Sequence, residues 1–139
     1  VLLCLEALNL FETSFSNTTE QLLELIGLID CPAVQVMADF FHMNIEEKAP
    51  SAALEKMGKK LVHIHANEND RGTPGTGHVD FKAHAAALKK IGYQDALVIE
   101  SFSTKVKAIA RAAAVWRPLA PSQDGLATEG LAYLKKVFA

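Results

Sequence analysis

Four short apolar segments alternate with amphipathic segments along the chain, and this order constrains the fold more than any other sequence feature. The apolar segments cover residues 1–8, 33–39, 61–65 and 95–100. Nearly continuous apolar runs are typical of parallel strands that are covered on both faces. Each connection between them is long enough to hold a helix, which parallel strands require. The sequence therefore predicts an α/β fold of four βα units followed by an extra terminal helix.

Capping residues predict where the helices begin and end. Thr18 and Gln21 have the spacing of a capping box at the start of a helix over 18–29. Ser51 is expected to cap a helix that ends near residue 59, and Gly92 is expected to close a helix over 81–91. Two further helices are predicted over 104–115 and 122–138, whereas residues 40–44 are expected to form a loop.

Each predicted strand ends in a residue that can bind a metal ion. These residues are Glu6, Asp39, His65 and Glu100. The carboxyl ends of parallel strands meet at one edge of the sheet, where sites form, and three carboxylates there would repel one another without a cation. One carboxylate alone is more often a solvated loop residue, but four strand ends in register are a much less expected coincidence. The set predicts one divalent metal ion, and its oxygen-rich donors suit Mn²⁺, Mg²⁺ or Co²⁺ better than a structural zinc.

Polar residues a short distance beyond these strand ends are further candidates for the site. Glu12, His42 and Arg71 are the three candidates, although each alone could equally be a surface residue. Glu68 and Asp70 lie in the polar, glycine-rich loop over 66–78, and they are interpreted as support for that loop because His65 alone is in register with the other strand ends.

The remaining histidines and Cys4 are given structural interpretations. Cys4 and His63 lie one pleat deeper in their strands than Glu6 and His65, so both are expected to be packed against neighbours. His78 is expected in a loop, and His84 on the surface of a helix.

The composition excludes several classes of protein. Half of the residues are hydrophobic and the net charge is −2, without a basic cluster that would indicate nucleic-acid binding. No apolar run is long enough to span a membrane, and Val1–Leu5 lacks the basic region of a signal peptide. Cys4 and Cys31 have no metal-type spacing, which favours a reduced, cytoplasmic setting.

Five segments of the chain resemble one family of sugar enzymes. They read LEALNLFETSFSNT (5–18), ADFFHMNIEE (38–47), HIHANENDRGTPGTGHVDF (63–81), IESF (99–102) and VWRPLAP (115–121). In these segments the chain is similar to the C-terminal half of a ketose 3-epimerase. This group contains the D-tagatose and D-psicose 3-epimerases of the xylose-isomerase-like sugar phosphate isomerase/epimerase superfamily.

The resemblance implies a TIM (β/α)₈ barrel and a specific reaction. It places one divalent metal ion, with Mn²⁺ favoured over Co²⁺ or Mg²⁺, at Glu6, Asp39, His65 and Glu100. It also implies that Glu6 and Glu100 act as the catalytic pair, exchanging the C3 proton of a free ketohexose on opposite faces through an enediolate.

The resemblance further assigns Glu12, His42 and Arg71 to substrate hydroxyls near C1 to C3. Its implied partner is a small ketose, with neither nucleic acid nor a membrane.

Three positions depart from the pattern expected for this family. Leu10 stands where an arginine is expected, Phe40 where a threonine is common, and Asn67 where a serine is common. None of these changes removes a proposed ligand, but each can alter the support around the site and the preferred sugar.

The chain is shorter than the barrel that the resemblance implies. A full barrel has eight strands and typically about 250 residues, so residues 1–139 are expected to form a partial barrel domain whose strands match the fifth to the eighth. Its first and last strands would then be open edges, which favour association. We therefore expect a fragment, a truncated product or a half that pairs with a missing N-terminal half-barrel or forms a homo-oligomer.

Three alternatives remain open from the sequence. One is a related aldose–ketose or hydroxypyruvate-type isomerase, and another is a non-catalytic half-barrel that binds metal. A zinc apurinic endonuclease shares the barrel but predicts a histidine-rich site and a basic groove, and five histidines with a pI of about 6.2 oppose it.

Overall fold

The computed structural model describes all of residues 1–139 and contains one four-stranded sheet. The strands are β1 (Leu3–Leu5), β2 (Val34–Asp39), β3 (Leu61–His65) and β4 (Leu97–Val98). They pair in parallel in the order β1-β2-β3-β4, which is their order in the chain. The predicted succession of four parallel βα units with an extra terminal helix is confirmed.

Six α-helices connect or follow the strands. They are α1 (Thr19–Ile29), α2 (Phe40–Glu46), α3 (Pro50–Met57), α4 (Phe81–Ile91), α5 (Lys107–Ala112) and α6 (Gln123–Val137), with a 3₁₀ turn over Gly58–Lys60. The capping box at Thr18 and Gln21 forms as predicted, and Gly92 ends α4 in the left-handed conformation with φ 71°. None of these helices combines the length and the hydropathy that crossing a bilayer requires.

The strand register separates a packed face of the sheet from the face that carries the predicted site. Val36, Ala38 and Ile64 point to the side of the helices, where they form one core with Leu22 and Leu54. Asp39 pairs with His65, and His65 pairs with Val98, so these three residues lie on the same face of the sheet. Successive residues of a strand point to opposite faces, so this face is the one opposite Ala38 and Ile64. This alternation places Asp39 and His65 on the face away from the helical core, and Glu6 and Glu100 lie just beyond the ends of β1 and β4.

One prediction about local structure is wrong, because residues 40–46 form helix α2 instead of a loop. The Asp39 side chain caps this helix by accepting a hydrogen bond from the Phe41 N–H at 2.7 Å. Phe40 and Met43 are buried in the core, so the helix gains apolar packing as well as a cap. Asp39 thus ends a strand and begins a helix with no residue between them.

Several elements are shorter than predicted. Strands β1 and β4, which each have a single neighbour, keep only three and two residues in regular pairing. Helix α5 is confined to Lys107–Ala112. Ser51 does not cap α3, since the cap residue is Ala49 and Pro50 takes the first turn.

Two side chains lie in surroundings other than those predicted. His84 was expected on a helix surface, but it is only 4% exposed. Its ring packs edge-on against Phe40, and its Nδ1 lies 3.1 Å from the Ser51 Oγ. Cys4 was expected to be packed, but it is exposed on the sheet face that the helices do not cover. His63 packs against the His65 ring as expected.

The buried His84 makes stability depend on pH in a defined direction. Burial lowers the pKa of His84 to about 4, so the unfolded chain binds this proton at a higher pH than the folded chain does. The free energy of unfolding should therefore fall by about 1–3 kcal/mol between pH 6.5 and pH 4 because of this group. Urea unfolding at several pH values measures the loss.

A variant pair isolates this contribution from that of the carboxylates. In His84→Gln the fall in stability on acidification should be smaller than in the wild type. His78→Gln, at an exposed histidine, should keep the wild-type dependence. An unchanged pH dependence in His84→Gln would contradict the assignment.

Candidate metal and substrate site

Three of the four predicted metal ligands form a tight cluster at the carboxyl ends of their strands. Glu6, Asp39 and His65 each offer one ligand atom, and these atoms all lie within 4.8 Å of one another. Glu6 follows β1, while Asp39 and His65 are the last residues of adjacent strands that pair in register. The cluster therefore follows directly from parallel strands that end together.

Asp39 is buried, and its two carboxylate oxygens have separate partners. Its Oδ1 caps α2, and its Oδ2 lies 3.3 Å from the His65 Nδ1 and 3.0 Å from the Asn67 Nδ2. Charged hydrogen bonds of this kind fix the orientation of a buried carboxylate. Asp39 is therefore held in place by helix α2 on one side and by β3 and the residues that follow it on the other.

The electrostatics of the cluster favour a cation. Burial, assisted by the negative charge of Asp39, raises the pKa of the Glu6 carboxyl to about 7. The hydrogen bond to Asp39 raises the pKa of His65, although partial burial opposes this effect. A divalent ion relieves such crowding of negative charge, and the donor set of carboxylate oxygens and one imidazole suits it. These residues fit the implied metal.

Glu100, the fourth predicted ligand, reaches the edge of the cluster and also contacts an arginine. Its Oε1 lies 3.7 Å from the His65 Nδ1, and its Oε2 lies 3.2 Å from the Arg71 Nε. The Arg71 Nε–H is not aligned for a hydrogen bond, so the contact with Glu100 is an ion pair. Glu100 thus stands between the cluster and the predicted substrate residues.

The three predicted substrate residues also come together, around the guanidinium of Arg71. The Arg71 Nη2 lies 3.1 Å from the His42 Nε2, and its Nη1 lies 3.7 Å from the Glu12 Oε1. The guanidinium is buried between two aromatic rings, with centroid distances of 4.0 Å to Phe41 and 5.1 Å to Phe102. Neither ring is predicted from the sequence, because Phe41 was assigned to a loop instead of helix α2 and Phe102 lies beyond the last strand, where no periodic pattern applies.

The backbone at Arg71 adopts an uncommon conformation. Its φ is 60°, in the left-handed region that non-glycine residues rarely occupy. Such positions cost about 1–3 kcal/mol and cluster at functional sites. The surrounding loop must therefore hold Arg71 in place, and Glu68 does so. Glu68 is only 1% exposed and accepts hydrogen bonds from the backbone of Gly75 and Val79, each at 2.9 Å.

The interpretation of Glu68 and Asp70 as loop support is confirmed. Asp70 accepts a hydrogen bond from the Gly72 N–H at 2.8 Å and pairs with Arg117 at 2.9 Å. Neither carboxylate belongs to the metal cluster.

Asn67 connects two of the proposed metal ligands. It is fully buried; its Nδ2 donates to the Asp39 Oδ2, and its Oδ1 accepts from the Glu100 N–H at 2.8 Å. The side chain thereby links β3 to β4 just beyond the paired strand residues. A serine side chain is shorter by one heavy-atom group, so the longer amide is suited to span this gap.

Asn67→Leu should weaken metal binding while leaving the core packing unchanged. The variant removes the amide that orients Asp39 and Glu100, and loss of such support typically weakens metal affinity about 10–100-fold. Calorimetric titration with Mn²⁺ measures the change. Asn44→Leu, at a residue that lines a separate cavity beside Ser51, is the control and should bind as the wild type does. Wild-type affinity in Asn67→Leu would contradict the positioning role.

Comparisons with known proteins identify the family of this chain. The family described as xylose isomerase-like TIM barrel matches residues 1–137. A protein of Synechocystis sp. named "Probable ketose 3-epimerase" is 41% identical over 133 residues, which cover 96% of this chain and 46% of that protein. The D-psicose 3-epimerase of Enterocloster bolteae is 36% identical over 143 residues, covering 99% of this chain and 48% of its own length.

Solved structures of similar proteins share the fold. The structure of an L-ribulose 3-epimerase superposes with a TM-score of 0.95 at 36% identity, and the match covers 99% of this chain and 47% of that one. A D-psicose 3-epimerase from Clostridium cellulolyticum H10, solved with D-tagatose, gives a TM-score of 0.90 at 33% identity over 97% of this chain and 48% of that chain.

The extent of these matches defines which part of the fold is present. The chain spans about half the length of the curated relatives it matches. Its four parallel βα units correspond to half of an eight-stranded barrel. The chain belongs to the xylose isomerase-like TIM barrel family.

Proposed function

We propose that the protein is a metal-dependent sugar epimerase that inverts C3 of a free ketohexose. The observation that carries this proposal is the convergence of Glu6, Asp39 and His65 within 4.8 Å, with Glu100 beside them. The names of similar proteins, which include D-psicose 3-epimerase and L-ribulose 3-epimerase, support the class of reaction.

Glu6, Asp39, His65 and Glu100 would hold one divalent ion, for which Mn²⁺ is the first choice and Co²⁺ or Mg²⁺ the alternatives. When bound there, the ion would supply Lewis-acid chemistry that polarises the ketose carbonyl and makes the proton on the adjacent carbon easier to remove. The oxygen-rich donor set supports this assignment.

Glu6 and Glu100 would move the proton. An epimerase must remove the C3 proton from one face of the sugar and return a proton to the other, which requires two groups. Glu6 suits this role, because its carboxylate belongs to the cluster and lies 4.0 Å from the Nε2 of the proposed substrate residue His42. Glu100 would be the second carboxylate of the pair, and its Oε2 lies 3.2 Å from the Nε of the proposed substrate residue Arg71.

Glu12, His42 and Arg71 would bind the substrate hydroxyls. Arg71 and His42 are buried and lie beside Glu100, whereas Glu12 is partly exposed at the rim. The arrangement combines hydrogen-bond donors with one carboxylate acceptor, which is what a row of sugar hydroxyls requires.

The remaining assignments concern the whole protein. We propose that the four strands are the fifth to the eighth of the barrel, and that an N-terminal half-barrel or a second copy covers their open edges. The exposed Val1, Leu2 and Leu3 at the β1 edge support such a contact.

The two free cysteines, both exposed, fit a reducing cytoplasm.

Isotope exchange in the full-length protein tests the reaction. Incubation with D-fructose or D-tagatose and Mn²⁺ in deuterated water should place deuterium at C3. Absence of deuterium at C3 of every ketohexose tried would refute the proposal, and incorporation at C1 would favour an aldose–ketose isomerase.

The alternative of a metal-binding half-barrel without catalysis has its own support, because all four proposed ligands lie within this chain. Titration of the 139-residue chain with Mn²⁺ tests it, with Glu6→Gln and Glu100→Gln as comparison variants. Binding without turnover, both in this chain and in the full-length protein, would favour the alternative.

A further inference from the structure

Asn9, in the loop between β1 and α1, is a buried side chain that the proposed function leaves without a role. It is only 2% exposed, and both ends of its amide have partners. Its Oδ1 accepts from the Phe11 N–H at 3.0 Å, and its Nδ2 donates to the Glu12 Oε1 at 3.1 Å. These partners fix the direction of the amide, because a backbone N–H requires an oxygen opposite it and a carboxylate requires a donor.

The same residue presents two donors to one ring nitrogen of His42. The Asn9 backbone N–H donates to the His42 Nδ1 at 3.1 Å, and the Asn9 Nδ2 lies 2.9 Å from the same atom. A nitrogen that accepts hydrogen bonds carries no proton. With Nδ1 as the acceptor of these bonds, the one proton of a neutral ring lies on Nε2.

The Nε2 side of His42 then meets a second donor. Arg71 Nη2 lies 3.1 Å away, and an arginine has no acceptor to offer. The Glu6 Oε1, at 4.0 Å from the His42 Nε2, is too far for a hydrogen bond. With its proton on Nε2, His42 therefore has an N–H donor 3.1 Å from the Arg71 Nη2 and close to Glu6, and a ligand oxygen beside both nitrogens could accept hydrogen bonds from both.

We propose that Asn9 is a positioning residue that locks His42 as the Nε2–H tautomer, so that His42 and Arg71 donate together to one substrate oxygen. The same Asn9 amide orients Glu12, which supplies the acceptor for a neighbouring hydroxyl. The role in sugar binding rests on the proposed function, whereas the tautomer of His42 does not.

Nitrogen NMR of the wild-type chain tests the tautomer directly. Long-range proton–nitrogen correlation spectra of the ¹⁵N-labelled protein at neutral pH distinguish protonated from bare ring nitrogens. His42→Gln identifies the His42 signals among those of the five histidines. A protonated Nε2 with a bare Nδ1 is expected, and a proton on Nδ1 overturns the proposal.

Asn9→Asp tests whether the side chain sets the tautomer. A carboxylate oxygen beside Nδ1 is an acceptor, so the His42 proton should move to Nδ1, and Glu12 should be repelled from its position. In the full-length protein KM for the ketose should rise about tenfold, with a smaller change in kcat, because a substrate hydrogen bond is lost.

Asn17→Asp is the matched control in the same loop. The Asn17 Nδ2 donates to the Leu8 and Thr13 carbonyls at 2.6 and 2.9 Å, so this variant also loses loop hydrogen bonds, but they are not bonds to His42. It should keep the wild-type His42 spectrum. An equal change in both variants would mean that Asn9 acts only through loop stability, which refutes the proposal. Absence of turnover on every ketose in the wild type would refute the proposed function and leave the tautomer result standing.

Discussion

Replacing Glu6 by glutamine should slow deuterium exchange at C3 by about a thousandfold, within the range typical for the loss of a general acid–base group. Glutamine keeps the size of the side chain but cannot accept the C3 proton. The measurement is the rate of C3 exchange in the full-length protein with Mn²⁺ and D-fructose or D-tagatose.

The stability of the variant separates lost chemistry from lost structure. Ionised Glu6 is opposed by burial and by the charge of Asp39, so Glu6→Gln should not lower the stability of the metal-free chain at or above neutral pH. Glu24→Gln, at an exposed carboxylate on α1, is the control and should keep both activity and stability. Wild-type exchange in Glu6→Gln would remove this residue from the proton-transfer pair.

Glu68→Ala should cause the largest loss of stability among the predicted changes, about 3–5 kcal/mol. The buried carboxylate accepts hydrogen bonds from the backbone of Asn69, Gly75 and Val79. Alanine leaves these donors without an acceptor, and each buried unpaired donor costs about 1–3 kcal/mol. Urea unfolding measures the change as a shift of the midpoint.

The predicted loss has a local consequence that can be measured separately. The Arg71 N–H bonds to the Glu68 carbonyl, so a loosened loop should also release Arg71 from its uncommon conformation. Amide exchange over residues 68–79 should therefore increase more than in the core strands. Glu129→Ala, at an exposed residue of α6, should change stability by less than about 0.5 kcal/mol. A similarly small effect of Glu68→Ala would show that the loop does not depend on this carboxylate.

The glycines of this loop explain why it can fold so tightly. Gly75 has φ 89°, and a Cβ there would lie 2.6 Å from the Tyr133 ring of α6. The loop therefore packs directly against the last helix, and only glycine permits both the backbone conformation and the close approach.

The sequence alone determined the order of the elements and the face that carries the site. Apolar runs of strand length and capping residues such as Thr18 depend on neighbours a few positions away, so local patterns predict them. The convergence of Glu6, Asp39 and His65 also follows from local rules, because parallel strands end at one edge and alternate residues share a face. Glu12, His42 and Arg71 were candidates because they follow these strand ends, and the family resemblance, carried by contiguous motifs, assigned them to the substrate.

Only the tertiary structure decided how these residues are oriented and supported. Helix α2 replaced a predicted loop because Asp39 caps it and Phe40 is buried. His84 is in the core, and Asn67 links two ligands across a strand gap. Asn9 reaches His42 from 33 residues away in the chain. Such contacts join segments that are distant in sequence, and they depend on distances of a few ångströms that no periodic pattern encodes. The sequence thus determined which groups meet, and packing determined how each one is oriented.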